Sequence, residues 1–358
     1  MGFPCCSFWS WIARENGRKR RRVQPQKRKR GRATAPGDAA EDAAARGGAA
    51  PARRSGGLPR DIWTEKKAAV RQDLAGISRE APVLIAGPTA SGKSALAMEL
   101  AARDGRVIVN ADALQVYGRW RVLTARPSAA EEAALPHALY GHVGRDTAYS
   151  VGHWLREVAG LLGRPVVVVG GTGLYFTALT GGLAEIPAVP AEVRAAGDAL
   201  RAADFAAMVA ALDPATAARI DLRNPVRVQR AWEVLRATGR GLAGWQAATA
   251  PPLLARTRAE ALVLHPATDW LQERIDRRFD RMIATGAMEE VRAELPFWDP
   301  ARPSARAIGA ADLVAHLRDG APLAAAVAAA KLASRQYARR QRHWFRARMA
   351  DWRPVALP

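Results

Sequence analysis

Residues Gly87-Pro88-Thr89-Ala90-Ser91-Gly92-Lys93-Ser94 follow the spacing G-x-x-x-x-G-K-[ST]. A loop of this kind turns successive backbone N–H groups toward one point, at the positive end of a helix. The ligand it suits is a di- or triphosphate. Lys93 adds a point charge, and the Ser94 hydroxyl is placed to hold Mg²⁺. The flanks agree with that chemistry. Val83-Leu84-Ile85-Ala86 reads as a buried strand, and Ser94 to Arg103 is a run of strong helix formers.

The elements that must position this loop follow in alternation. Val107-Ile-Val-Asn110 predicts a second strand, with Asp112 just beyond its end. Pro165-Val-Val-Val-Val169 predicts a third, β-branched and continuous, as in strands buried on both faces of a parallel sheet. It runs into Gly170-Gly-Thr-Gly-Leu-Tyr175, and ligands of open α/β sheets gather at the carboxyl ends of strands. Leu262-Val-Leu264 predicts a further strand, followed by helices over 269–284 and 287–295. Residues 190–246 are Ala/Arg-rich and helical in pattern, without a strand. The expected fold is therefore α/β: a P-loop NTPase-like parallel sheet flanked by helices, with a helical insertion subdomain. The core spans 76–189 and 247–350, the insertion 190–246, and a basic N-terminal extension 1–75.

ATP-driven motors usually carry an apolar strand ending in Asp or Glu, which steers Mg²⁺ and water. Here that strand ends in glycines, and the carboxylate directly after a strand is Asp112. An isolated strand-end Asp is ordinarily a helix N-cap or loop residue. Beside a phosphate loop it becomes a candidate general base.

Charge separates an extension from a body. Lys and Arg number 54 against 34 Asp and Glu, a net of +20. Residues 1–72 hold 18 basic and 6 acidic side chains, so +12 of that lies there. The remaining +8 is almost all arginine; the body's only lysines are Lys93 and Lys331. Segment 14–60 is low-complexity and too poor in apolar residues to order itself. It reads either as an arm attracting nucleic acid or as the product of a mis-set translation start. Both cysteines, Cys5 and Cys6, lie in the extension, so the body has no disulfide or thiolate metal site, as expected of a cytoplasmic protein. No membrane span is expected.

At Asn110-Ala-Asp-Ala-Leu-Gln-Val-Tyr117 the chain begins to resemble a known family. With Gly87–Ser94, Leu123-Thr-Ala-Arg-Pro127, Gly170–Tyr175, Asn224-Pro-Val-Arg227, Arg306-Ala-Ile-Gly309 and Arg335-Gln-Tyr-Ala-Arg-Arg-Gln341, it resembles the bacterial tRNA dimethylallyltransferases. The motifs keep the family's order from about residue 82 to 348. The resemblance implies transfer of a five-carbon group from dimethylallyl diphosphate to the exocyclic N6 amine of adenine 37, beside the tRNA anticodon. Prenylation of free adenine nucleotides and phosphoryl transfer by a P-loop kinase are the alternatives. A monomer is expected, with tRNA and dimethylallyl diphosphate as partners and Mg²⁺ as cofactor.

The roles implied by the family follow motif by motif. Asp112, Thr172 and Arg278 match its catalytic positions, and Gly87, Pro88, Thr89, Ala90, Ser91, Gly92, Lys93 and Ser94 its diphosphate loop, with Ser94 on the metal. Asp112, Ala113, Leu114, Gln115 and Thr172 match the segment meeting the flipped base. Arg194, Arg227, Arg230 and Arg306 match tRNA contacts. On the last helix Arg335, Arg339, Arg342 and Arg346 form one stripe, unpaired with acids in the sequence and suited to phosphates. Arg274 lies one turn before Arg278 and reaches the same side of its helix. The chain departs from the family at Ala113 (usually Ser), Leu123 (usually Gly), and Ala310 and Ala311 (usually Tyr and a basic residue).

A protein beginning near Gly76 keeps every motif named above. It is expected to modify tRNA with nearly full turnover. Any loss should appear as weaker tRNA affinity at low salt and fade as salt rises. Turnover abolished at every salt concentration would make the extension part of the fold.

Overall fold

The computed structural model describes residues 76–357, so the extension expected over 1–75 lies outside the described residues. Within them, β1 (Val83–Ala86), α1 (Lys93–Asp104) and β2 (Val107–Asn110) are followed by α2 (Ala129–Ala134), the two-residue β3 (His137–Ala138) and α3 (Val151–Ala159). Next come β4 (Val166–Gly170) and α4 (Gly173–Gly181). Helices α5 (Ala191–Ala203), α6 (Phe205–Ala210), α7 (Pro214–Ala217), α8 (Pro225–Thr238) and α9 (Leu242–Ala247) come before β5 (Glu260–His265). The chain closes with α10 (Thr268–Ala284), α11 (Ala287–Glu294), α12 (Ala310–Asp319), α13 (Leu323–Arg348) and β6 (Arg353–Ala356).

All strand pairs are parallel, in the order β3-β2-β4-β1-β5-β6. β1 lies between β4 and β5, with Ile85 opposite Val169 and Leu262. The strand residues divide cleanly between two cores. Leu84, Ala86, Val109, Val166, Val168 and Val263 face Trp154 of α3, Phe176 of α4 and Phe345 of α13. Val83, Ile85, Ile108, Val167, Val169 and Leu264 face Leu96, Leu100 and Ala101 of α1. Burying each such Val, Leu or Ile contributes about 1.5–3 kcal/mol. Both faces are covered, which is why the strands lack polar alternation.

A third core joins Trp120 and Leu123 to α10, α11, α12 and α13 through Phe279, Met282, Val291, Leu313 and Ala330. Leu123 and Ala310, two departures from the family pattern, are buried in it. The helices over 191–247 gather their own cluster around Met208, Leu212, Val228 and Ala231. The expected end of the core at 350 stops short: β6 pairs with β5 beyond it, Val263 opposite Pro354.

α13 lies antiparallel along α10, and ion pairs mark the seam. Lys331 Nζ meets Asp280 and Arg335 Nη1 meets Asp276, each at 2.6 Å, and Arg342 Nη1 donates to Thr268 Oγ1 at 2.6 Å. This corrects one expectation. Arg335 is paired with an acid after all, because a helix distant in sequence supplies the carboxylate. Arg339 and Arg346 remain exposed.

Arg106, with no exposed surface, pins the lower ends of three strands. Its Nε donates to Asp104 at 2.8 Å, its Nη1 to the Ala81 and Val166 carbonyls at 2.7 and 3.3 Å, and its Nη2 to the Ser78 carbonyl. A hydrogen bond from Arg103, aided by Arg106, lowers the Asp104 pKa to about 2. Arg106→Met should cost about 3–5 kcal/mol in urea unfolding at neutral pH, since it leaves three carbonyls without their donor and takes one of two arginines from Asp104. The folded Asp104 pKa lies below its unfolded value near 3.8. Its stabilisation is therefore complete above about pH 4 and lost as pH falls through about 2. A loss under about 1 kcal/mol would show that this cluster does not hold the strands.

Candidate active site

Residues at the carboxyl ends of β1, β2 and β4 meet, joined by α10 and α13. The loop after β1 has Ala90 and Gly92 at φ +64° and +93°, left-handed positions that bend it back onto α1. Glycine takes the second without a Cβ penalty; alanine holds the first at a cost in strain. The first N–H groups of α1, at Lys93 and beyond, have no intrahelical acceptor and present a positive end. Gly87 N–H donates to the Gly170 carbonyl at 3.3 Å, which ties this loop to β4.

Two of the expected phosphate donors are engaged elsewhere. Thr89 N–H donates to Gln341 Oε1 at 2.8 Å, and Ser91 N–H closes a turn on the Pro88 carbonyl at 3.2 Å. The Thr89 hydroxyl accepts from Arg278 Nη2. Ser91 Oγ is buried without a hydrogen-bond partner. The N–H groups of these two residues thus shape the loop and are withdrawn from a phosphate.

Asp112 is 8 % exposed and fixed at one end only. Its N–H donates to Asn110 Oδ1 at 2.8 Å, and its Oδ1 accepts from Leu114 N–H at 2.9 Å. The ordinary role of a strand-end Asp, capping a turn, is therefore filled by one oxygen. Its Oδ2 has no hydrogen bond within the protein and lies beside Gly171. Asn110, fully buried, braces the turn by donating to the Asp112 and Leu139 carbonyls at 3.0 and 2.9 Å. Thr172 Oγ1 accepts from Ala113 N–H at 3.0 Å, so Thr172 is locked to Asp112 through the next residue.

The glycines after β4 supply close approach. A Cβ on Gly170 would lie 2.0 Å from the Ala111 carbonyl oxygen, and one on Gly171 2.2 Å from Gln341 Nε2. On Gly173 it would lie 2.1 Å from the Trp344 ring. Each glycine admits a different neighbour.

Electrostatically the cluster is two cations and one carboxylate. Burial lowers the Lys93 pKa to about 8; Asp112 opposes that shift and Arg278 adds to it. Burial lowers Arg278 to about 10, again opposed by Asp112. Burial first, and the Asp112 charge second, push the Tyr140 and Tyr337 phenols well up, so both stay protonated. Arg274, half-buried over Trp270, donates to the Ala90 carbonyl at 2.9 Å, so α10 grips the loop at two successive turns.

The expected RNA contacts divide differently. Gln115 Nε2 donates to the Thr124 and Ala125 carbonyls at 2.9 Å each, so its amide nitrogen braces the neighbouring loop. Glu290 of α11 accepts from three successive N–H groups of that loop, at Arg121, Val122 and Leu123. Ala113 is buried and Leu114 half-buried. Arg194 and Arg230 lie near the buried Glu233 of α8, while Arg227 is exposed and Arg306 half-buried. Asn110, Gln341 and Glu290 had no role assigned from sequence. A glutamine on the buried stripe Ser334, Tyr337, Ala338, Gln341, Phe345 was the available signal for Gln341.

A family model described as "IPP transferase" matches residues 115–348, and one described as "Isopentenyl transferase" matches 81–136. The chain belongs to the IPP transferase family. It is 69 % identical over 289 residues to a tRNA dimethylallyltransferase of Cereibacter sphaeroides, covering 80 % of this chain and 92 % of that protein. It is 65 % identical over 287 residues to one from Dinoroseobacter shibae, covering 79 % and 97 %. Among solved structures it resembles a tRNA isopentenylpyrophosphate transferase from Bacillus halodurans, with a TM-score of 0.54 and 29 % identity over 77 % of this chain and 90 % of that one. A eukaryotic dimethylallyltransferase acting on tRNA shares the fold, with a TM-score of 0.63 at 24 % identity over 74 % and 70 %. The P-loop NTPase-like architecture is thus that of the family.

Among the described residues, no group of three or more His, Cys, Asp or Glu side chains is arranged to hold a metal. The Ser94 hydroxyl is exposed and makes no hydrogen bond within the protein. One hydroxyl completed by phosphate oxygens and water is a donor set that fits Mg²⁺. No helix among the described residues is long and apolar enough to cross a membrane.

Lys93 with a pKa near 8 makes anion binding pH-dependent. Below that value the ammonium is charged and attracts an anion. Above it the attraction fades, by up to about tenfold per pH unit. Titrating inorganic diphosphate from about pH 7 to 9.5 should show affinity falling faster for the wild type than for Lys93→Arg, which stays charged. Parallel curves would remove Lys93 from the anion site.

Proposed function

We infer that this chain transfers a dimethylallyl group from dimethylallyl diphosphate to the N6 amine of adenine 37 in tRNA, giving N6-isopentenyladenosine and diphosphate. Family membership at 69 % identity supports the activity. One observation carries the mechanism: the unbonded Oδ2 of Asp112 lies in the same cluster as Lys93 and Arg278.

Charge develops at both ends of this reaction. The adenine nitrogen attacks the allylic carbon, a C–N bond forms, and the C–O bond to diphosphate breaks. Negative charge gathers on the leaving oxygens, where Lys93, Arg278 and the amino end of α1 stabilise it. The amine becomes acidic as it bonds, and Asp112 takes its proton. Thr172 holds the Asp112 turn in place through Ala113 N–H. Ser94 would hold Mg²⁺ together with the diphosphate, and the ion would supply charge neutralisation of the leaving group.

The adenine reacts only when unstacked, so the base must be flipped to Asp112 while the rest of the tRNA is held outside. Arg339, Arg342 and Arg346 of α13, with Arg194, Arg227 and Arg230 of the 191–247 helices and Arg306, are the cations for its backbone. Arg335 is shared with Asp276 and contributes less.

The test offers labelled dimethylallyl diphosphate with unmodified tRNA, AMP and ATP in parallel. Label should enter tRNA alone; transfer to AMP or ATP instead would mark a nucleotide prenyltransferase. Asp112→Ala should lower the single-turnover rate by about two to four orders of magnitude while the donor still binds. An unchanged rate constant would exclude Asp112 as the base.

A further inference from the structure

Gln341 of α13 reaches into the catalytic cluster, 5 % exposed. Its Oε1 accepts from Thr89 N–H at 2.8 Å and its Nε2 donates to the Gly171 carbonyl at 2.9 Å. These contacts fix the amide's orientation. Turned over, it would set N–H against N–H and oxygen against oxygen.

Its partners stand on opposite sides of the reaction. Thr89 belongs to the donor loop, and its hydroxyl receives Arg278. Gly171 precedes Thr172, which holds Ala113 and hence the Asp112 turn. One side chain therefore spans from the leaving-group site to the base. The same helical turn carries the exposed Arg339 and the half-buried Arg342 on its other faces. A neutral amide is the side chain this position needs. A carboxylate would compete with diphosphate for Lys93 and Arg278, and an apolar group would leave a buried N–H and C=O unpaired.

We propose that Gln341 is a positioning residue for prenyl transfer: it sets the spacing between the donor loop and the Asp112–Thr172 pair and ties both to the cationic face of α13. This rests on the tRNA prenyltransferase reading. It places the rate-determining geometry under the control of the helix that receives the RNA backbone. Misplacing reacting groups by about 1 Å costs on the order of a hundredfold in rate.

Gln341→Met and Gln341→Glu test it, in single-turnover transfer to tRNA at saturating donor, with tRNA affinity measured separately. Gln341→Met should lower the rate constant by about 10- to 100-fold with tRNA affinity within about twofold of wild type. Gln341→Glu keeps an acceptor for Thr89 N–H but loses the Gly171 contact. It should show a smaller rate loss together with weaker donor binding. A folded Gln341→Met with the wild-type rate, or one losing only donor affinity, overturns the proposal. If Gln341→Met does not fold, a wild-type rate in Gln341→Glu overturns it instead. A wild-type protein that transfers nothing to tRNA would refute the activity reading. That outcome overturns this proposal as well, and it is told apart from the proposal's own failure by the wild type, which is active in the one case and inactive in the other.

Discussion

Two half-buried cations face one buried carboxylate, and the rest of the molecule is arranged around that imbalance. Lys93 and Arg278 are both held below their ordinary pKa by burial, and Asp112 offsets that only in part. A site of this kind is costly while it lacks an anion, because desolvated charge has too little compensation. A diphosphate would restore the balance and gain most from it, since its own charge rises as it leaves. Asp112 is kept from neutralising the cations outright because one of its oxygens is committed to Leu114 N–H. The carboxylate is close enough to be felt and too constrained to close the gap.

Holding those charges in place is a matter of backbone approach. The strands end in register, Ala86 beside Gly170 and Asn110 beside Val169, so their loops start at one level. The glycines at 170, 171 and 173 then let the Ala111 backbone, the Gln341 amide and the Trp344 ring come into contact with the β4 loop. A side chain at 170 would push against the Ala111 backbone, one at 171 against Gln341 and Asp112, and one at 173 against Trp344. The glycine-rich turn after β4 thus serves packing between loops, whereas the glycine at 92 serves a left-handed bend.

The parts legible in the sequence were those with local causes. Four apolar runs gave β1, β2, β4 and β5, because strands buried on both faces need no partner to be recognised. The phosphate-loop spacing and the strand-end Asp112 were legible for the same reason. β3 and β6 were not. β3 is two residues long, and β6 is an edge strand with Pro354 in it and only Val355 buried. Edge strands of this kind carry little apolar signal. Long-range pairing was equally hidden: Glu290 bonds to a loop 167–169 residues away, and Gln341 to Thr89 across 252. Family resemblance named Arg278 but could not say that it rests on Thr89.

Arg335 shows how a stripe seen on one helix misleads. Helical spacing puts Arg335, Arg339, Arg342 and Arg346 on one side, yet α10 covers part of that side and claims Arg335 through Asp276 and Arg342 through Thr268. The seam has a consequence for function. α10 carries Arg274 and Arg278, which grip the loop after β1, while α13 carries Gln341, which grips it from the other flank. Ion pairs at Lys331–Asp280 and Arg335–Asp276 hold the two helices side by side. Partly exposed pairs such as these contribute little to stability, about 1 kcal/mol or less each. Their value lies in register: a slip of α13 along α10 would carry Gln341 away from Thr89 and Gly171 while leaving the hydrophobic seam of Leu271, Ile275 and Ala338 able to repack. Arg335 is thus used to fix where the rest of that helix acts.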